Sequence, residues 1–159
     1  MVNKWLKKAQ YWCFPSVCAL CGGKAESDLD LCSGCLADLP YLSVSCARCA
    51  SPLSAEGICG QCLNKPPHFR RAFSSFQYTQ PVDVLIQRLK FNNKLANAHL
   101  LGVLMERQLS EKYSASNNFN KVGLPELIVP VPLHPSRLRQ RGYNQAMELA
   151  RPVSTYFGI

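Results

Sequence analysis

The 159 residues contain no apolar run near the ~20 that a membrane-spanning helix needs. The lysines of the opening MVNKWLKKAQYW are not followed by the apolar block of a secretion leader. A cytoplasmic location is therefore expected. No Walker-type or G-x-G-x-x-G stretch occurs, which removes the usual Gly-rich phosphate cradles. Histidine is scarce, with three in all, and none stands at metal-ligand spacing to His99. His99 reads instead as a satisfied or exposed helix residue. Acidic groups are also few, ten Asp or Glu against eighteen Lys or Arg, for a formal net charge of +8.

Cysteine is abundant. Eight of the nine fall into four C-x-x-C pairs, Cys18/Cys21, Cys32/Cys35, Cys46/Cys49 and Cys59/Cys62, leaving Cys13 over. A disulfide framework needs an oxidising compartment, whereas a reducing one keeps thiols available as metal ligands. Each pair can bind Zn²⁺ as a knuckle, and two knuckles close a tetrahedral four-sulfur shell. The spacing leaves two pairings open, neighbouring knuckles or an interleaved cross-brace. Neighbours are favoured, because CSGCLADLP reads as a knuckle running into a helical turn ended by Pro40, and CARCASPLSAEGICGQC repeats the plan with Pro52 and Gly57 as turn residues. One C-x-x-C would suffice for redox chemistry, so four point to metal. A closed four-cysteine shell leaves no open position for substrate, which makes both zinc ions structural. The segment has few large apolar residues of its own, so metal binding is expected to supply its folding energy.

Charge divides between the halves. Residues 1–62 carry five Lys or Arg and five Asp or Glu; residues 63–159 carry thirteen and five. Eight thiolates with two Zn²⁺ would bring the first half to about −4 and the chain to about +4. Any polyanion belongs with the second half.

Trp5, Ala9 and Trp12 place a short amphipathic helix at the start, with Lys4, Lys7 and Lys8 on its other faces. The double proline of NKPPHF marks a boundary, dividing the chain into 1–64 and 65–159. RRAFSSFQYT reads as a strand. PVDVLIQRLKF reads as a helix, with Pro81 in its first turn and Val82, Leu85, Ile86 and Leu89 as its apolar stripe. Asn92 and Asn93 turn the chain into a second helix, KLANAHLLGVLMERQLSEKY, and SASNNFNKVG is a polar loop. ELIVPVP is a short apolar run of the kind that forms a buried parallel strand.

The chain then enters LHPSRLRQRGYNQA, where a basic loop between strand and helix has the local architecture of an anion site. Arg137, Arg139 and Arg141 supply planar donors, Gly142 permits a positive φ, and Asn144 caps the helix QAMELA. Lys90, Phe91, Arg70 and Arg71 would extend a nucleic-acid face, although Phe91 fits a core position and the two arginines a solvated strand edge.

The order CALC, CSGC with LADLP, CARC, CGQC, then PVDVLIQRLKF and IVPVPLHPSRLRQRGYNQA, resembles the ComF family, whose members join a double zinc ribbon to a phosphoribosyltransferase-type domain. The resemblance covers nearly the whole chain. It implies an α/β protein with an N-terminal zinc-ribbon module, two tandem four-cysteine sites, and an incomplete type I phosphoribosyltransferase-like domain. It also implies a link to DNA uptake during competence, with single-stranded DNA or a DNA-uptake or helicase protein as partner. By position, the loop after IVPVP resembles the family's diphosphate-contacting loop, which places Arg137, Arg139, Arg141, Gly142 and Asn144 near phosphoribosyl diphosphate. The family's later acidic pair and Thr-Thr-Gly turn do not occur in these residues. Mg²⁺ with phosphoribosyl diphosphate is accordingly expected only of a full-length form, and transferase activity from these residues alone is not expected. A sheet lacking neighbouring strands is marginal, so the zinc module is expected to fold by itself and the C-terminal half to be loose or to need a partner. Pro152 is expected to disturb the last helix.

Overall fold

In the computed structural model of the chain, residues 16–25, 29–115 and 125–159 are described. The amphipathic helix expected around Trp5 to Trp12, and most of the polar loop that ends at Gly123, lie outside them. Among the described residues six helices follow in order: α1 Ser33–Ala37, α2 Gly60–Asn64, α3 Val82–Phe91, α4 Ala96–Ala115, α5 Pro135–Arg141 and α6 Gln145–Phe157.

The first two are single turns hung on cysteines. Cys32 is the N-cap of α1 and accepts from Cys35 N–H; Cys59 caps α2 and accepts from Cys62 N–H. The ribbons are close copies. Val17 bridges Lys24 and Ser45 bridges Pro52, both antiparallel. Gly22 N–H donates to Cys18 O at 2.9 Å and Ala50 N–H to Cys46 O at 3.0 Å. Both turns need a positive φ, 75° at Gly22 and 59° at Ala50. Glycine takes that conformation without cost, and alanine does not.

The periodicity placed α3 and α4 correctly. Val82, Leu85 and Leu89 are buried on α3, with Leu85 at 0% exposure. Pro81 stands at the N-cap, one place before its expected position. Asn92 caps the C-terminus and Asn93 takes φ 52°. The stripe Ala98, Leu100, Leu101 and Leu104 of α4 closes over α3, and buried Asn97 ties the pair by donating to Leu85 O at 3.2 Å. α6 packs along α4 at Gly102, where a Cβ would sit 2.9 Å from Leu149 O and 2.9 Å from Pro152 Cγ.

The core does not stop at residue 64. Cys18, Ala25, Leu29, Leu31 and Leu39 join Val82, Leu85, Leu89 and the α4 stripe in one cluster. Arg88 Nη1 reinforces the junction by donating to Ala19 O at 2.6 Å. The front segment is therefore not without a core, because its first ribbon borrows one from the helices. The second ribbon lies outside that cluster and buries Cys46 and Cys62.

Three local expectations are corrected. Pro152 sits inside α6, which continues to Phe157 and ends on Gly158 at φ 70°, so the proline shapes the contact with Gly102 without stopping the helix. The expected strand at 70–79 forms one isolated antiparallel bridge, Tyr41 to Phe76, and the described residues contain only isolated bridges. ELIVPVP forms no strand and is not buried: Leu127, Val129 and Val131 are 73–74% exposed. Its physical reason is in the sequence, since Pro130 and Pro132 strip donors from one edge and no described strand lies against the other.

Candidate metal centres and a cationic corner

The sulfurs of Cys18, Cys21, Cys32 and Cys35 lie within 4.8 Å of one another, as do those of Cys46, Cys49, Cys59 and Cys62. Neighbouring knuckles share a site, and the interleaved cross-brace is excluded. Across the knuckles, Cys21 Sγ stands 3.7 Å from Cys32 Sγ and Cys49 Sγ 3.6 Å from Cys59 Sγ. Four sulfurs at a Zn–S distance of about 2.3 Å would stand about 3.8 Å apart, so both sets fit tetrahedral Zn²⁺.

Backbone amides prepare the sulfurs. Gly23 N–H donates to Cys21 Sγ, Arg48 and Cys59 N–H to Cys46 Sγ, and Cys35 and Cys62 N–H to the sulfurs three residues before them. Burial raises the Cys18 thiol pKa, but backbone donors from Cys21, Cys32 and Leu20 outweigh it and bring it to about 6. Donors from the Cys49 and Cys59 backbone lower Cys46 to about 6. The fourth sulfur of each set goes the other way. Cys35 is pushed up to about 12 by its hydrogen bond with Cys32 and by burial, and Cys62 to about 12 by burial and by its sulfur neighbours. Hydrogen bonds from Ser51 lower Cys49 as well, so each set favours a thiolate at its first cysteine, while the full complement needs a divalent cation to offset the crowded negative charge. The residues fit zinc by count, distance and charge.

The five residues singled out in the basic stretch form a corner between two helices. Arg137, Arg139 and Arg141 lie on α5, which is helical where a loop was expected. Gly142 caps it at φ 77°, and Asn144 Oδ1 accepts from Ala146 N–H at 3.0 Å to start α6. Arg137 and Arg141, four apart, share a face of α5, while Arg139 projects from the other side. The three guanidiniums therefore do not converge on one anion, and the Gly142 and Ala146 amides already have acceptors.

The corner reaches α3 instead. The Arg141 guanidinium lies 5.5 Å from the Phe91 ring centroid, and Tyr143 OH donates to Leu89 O. Phe91 is 71% exposed, so the core position its stripe suggested is not the one it takes. Between residues 84 and 105, and again between 127 and 147, the sequence contains no Asp or Glu. The Arg141 guanidinium thus lies over an open aromatic ring that Lys90 adjoins in sequence and Lys94 follows three residues later, all of them on exposed positions except Arg141, which is half-buried. Arg70 and Arg71 are exposed on the segment before α3, and His99 is exposed on α4. Tyr143 was within the quoted motif but not singled out; a Tyr directly after a helix-capping glycine was the available signal.

Two four-sulfur shells built from neighbouring knuckles define a double zinc ribbon protein, and the double zinc ribbon domain family matches residues 9–63. The chain is 32% identical over 146 residues, 91% of its length, to DNA utilization protein YhgH of Salmonella typhimurium. It is 34% identical over 133 residues, 81% of its length, to Competence protein F of Haemophilus influenzae. With DNA utilization protein YhgH of Escherichia coli K12 it shares 33% over 144 residues. These relatives bear out the resemblance to the ComF family that the motifs carry. The alignments cover 63%, 55% and 62% of the relatives, so the chain spans less than two thirds of their length. No solved structure matches. No described helix is long and apolar enough to cross a membrane.

Proposed function

We propose that this chain serves competence or DNA utilization as a zinc-organised scaffold whose cationic corner contacts single-stranded DNA in a reducing, cytoplasmic setting. The observation that carries the reading is the Arg141 guanidinium over exposed Phe91, with Lys90 next to that ring in sequence and Arg137 on the same face of α5 as Arg141. Cations that track a phosphate backbone, next to a ring on which a base can stack, are what sequence-tolerant single-strand binding requires. The names of the relatives support the same direction. Two structural zinc ions hold the ribbons, which leaves them free to dock a protein partner of the uptake machinery.

Phosphoribosyl transfer is not proposed for these 159 residues by themselves. Arg137 and Arg139 project from different sides of α5, and no acidic pair or Thr-Thr-Gly turn occurs in the sequence to hold ribose, Mg²⁺ and 5-phosphate. Fluorescence anisotropy with a labelled oligonucleotide over a salt series tests the DNA reading. Log affinity should fall against log salt with a slope of about −0.7 per neutralised phosphate. Replacing Arg137, Arg139 and Arg141 together should flatten that slope, and Phe91→Ala should cost about 1–3 kcal/mol at any salt. An affinity indifferent to salt removes the proposal.

A further inference from the structure

The second ribbon lies outside the shared core, yet it is not detached from the helices. Ala72 N–H donates to Arg48 O at 2.7 Å, which lays the segment after the ribbon against its first knuckle. One residue on, Lys112 Nζ of α4 stands 4.7 Å from the centroid of the Phe73 ring. Between these parts is a cavity of about 440 Å³. From the ribbon it is lined by Cys46, a ligand of the second metal set, and by Glu56; from outside the ribbon it is lined by Arg71, Phe73 and Lys112. Four thiolates around one Zn²⁺ leave a charge of about −2. Residues 43–62 contain one cation, Arg48, and one acid, Glu56, so between them they offset none of it. The compensating charge has to come from outside the ribbon. Lys112 is half-buried and Arg71 exposed on the cavity that Cys46 lines, where water is partly excluded and attraction is screened less than at an open surface. The first set is met alike, since Arg88 of α3 donates to Ala19 O, one residue after Cys18.

We propose that Arg71 and Lys112 are the counter-cations of the second zinc tetrathiolate, and that their attraction to it seats the second ribbon against the end of α4. Glu56, on the same cavity, opposes them. Metal content and ribbon position then depend on each other. A zinc-loaded ribbon carries the charge that the cations hold, whereas a metal-free ribbon with protonated thiols carries none and loses the attraction. Residues remote in sequence from the four knuckles thereby set how tightly the second ion is kept.

The test titrates the zinc-loaded 159-residue chain with a chelator at low and at high salt. The step that Cys59→Ser abolishes is release from the second site; where both ions leave together, the shared midpoint is read. Lys112→Gln should move it to lower chelator, weakening the site roughly 3- to 10-fold at low salt, and Arg71→Gln should do so by less, being exposed. Glu56→Gln should move it the other way, tightening the site roughly 2- to 3-fold. Lys112→Arg should restore the original midpoint, and every shift should shrink at high salt. A role in packing alone would leave the shifts indifferent to salt and would not let Glu56→Gln tighten the site. Either of those results overturns the proposal, as does an unmoved midpoint in Lys112→Gln. Should Lys112→Gln lower far-UV helicity, Arg71→Gln and Glu56→Gln decide, since both lie outside the helices; shifts of the same sign, or none, overturn it.

Discussion

Removing metal should take the two ribbons apart in sequence, because they rest on different supports. The second ribbon's own buried apolar groups are Cys46 and Cys62, worth only a few kcal/mol at about 25 cal/mol per Å². The ~10–16 kcal/mol that a structural zinc supplies is thus most of what holds it. The first ribbon has the same metal and also Leu29, Leu31 and Leu39, each worth about 1.5–3 kcal/mol where it meets α3 and α4. Cys59→Ser isolates the second site, since Cys59 both ligates and caps α2, and Cys32→Ser does the same at the first. Wild-type protein titrated with a chelator, with released zinc read by a colorimetric indicator, should lose one equivalent at low and one at high chelator. Cys59→Ser should abolish the early step and leave far-UV helicity nearly intact. Limited proteolysis should then cut between residues 43 and 62 and spare α3, α4 and α6. Release of both ions in one step with complete loss of helicity would refute the reasoning, as would purified protein without zinc.

Two packing predictions accompany it. Gly102→Val places a branched side chain where even a Cβ would stand 2.9 Å from Leu149 O, and should lower stability by roughly 2–3 kcal/mol in denaturant unfolding; a neutral result would mean α4 and α6 do not cross there. Ala50→Gly relieves a φ of 59° at the position where the first ribbon has Gly22, and should stabilise by roughly 0.5–1 kcal/mol, seen as a higher chelator midpoint for the second site; a lower midpoint would refute the correspondence of the ribbons.

Eight cysteines at fixed spacing, and an apolar stripe at helical period, were legible because each is a local pattern with one physical solution. Val82, Leu85 and Leu89 are buried as the period requires, and the sulfurs pair as neighbours. What stayed hidden depends on contacts between distant segments. Nothing local says that Leu29 and Leu31 pack against Leu85, or that Arg88 reaches Ala19 O. Apolar content alone made ELIVPVP a buried strand, yet burial needs a neighbour on each edge, and no described strand supplies one. The basic stretch differs for another reason: its spacing suggests a loop, whereas Pro135 serves as the first residue of α5 behind a His134 cap.

These long-range contacts also explain how a structural metal can matter to a surface it does not touch. Cys18 belongs to the first zinc set and to the shared core; α3 leaves that core carrying Leu89 and Phe91. Leu89 O holds Tyr143, and Phe91 lies beneath Arg141, so the corner between α5 and α6 is positioned from the far end of α3. α3 is in turn fixed to the first ribbon by Arg88 and by the packing of Leu85. The arginines sit on a helix of seven residues, too short to be stable by itself in water. Its placement comes from the aromatic and tyrosine contacts at its C-terminal end, and theirs from a core that the first zinc completes.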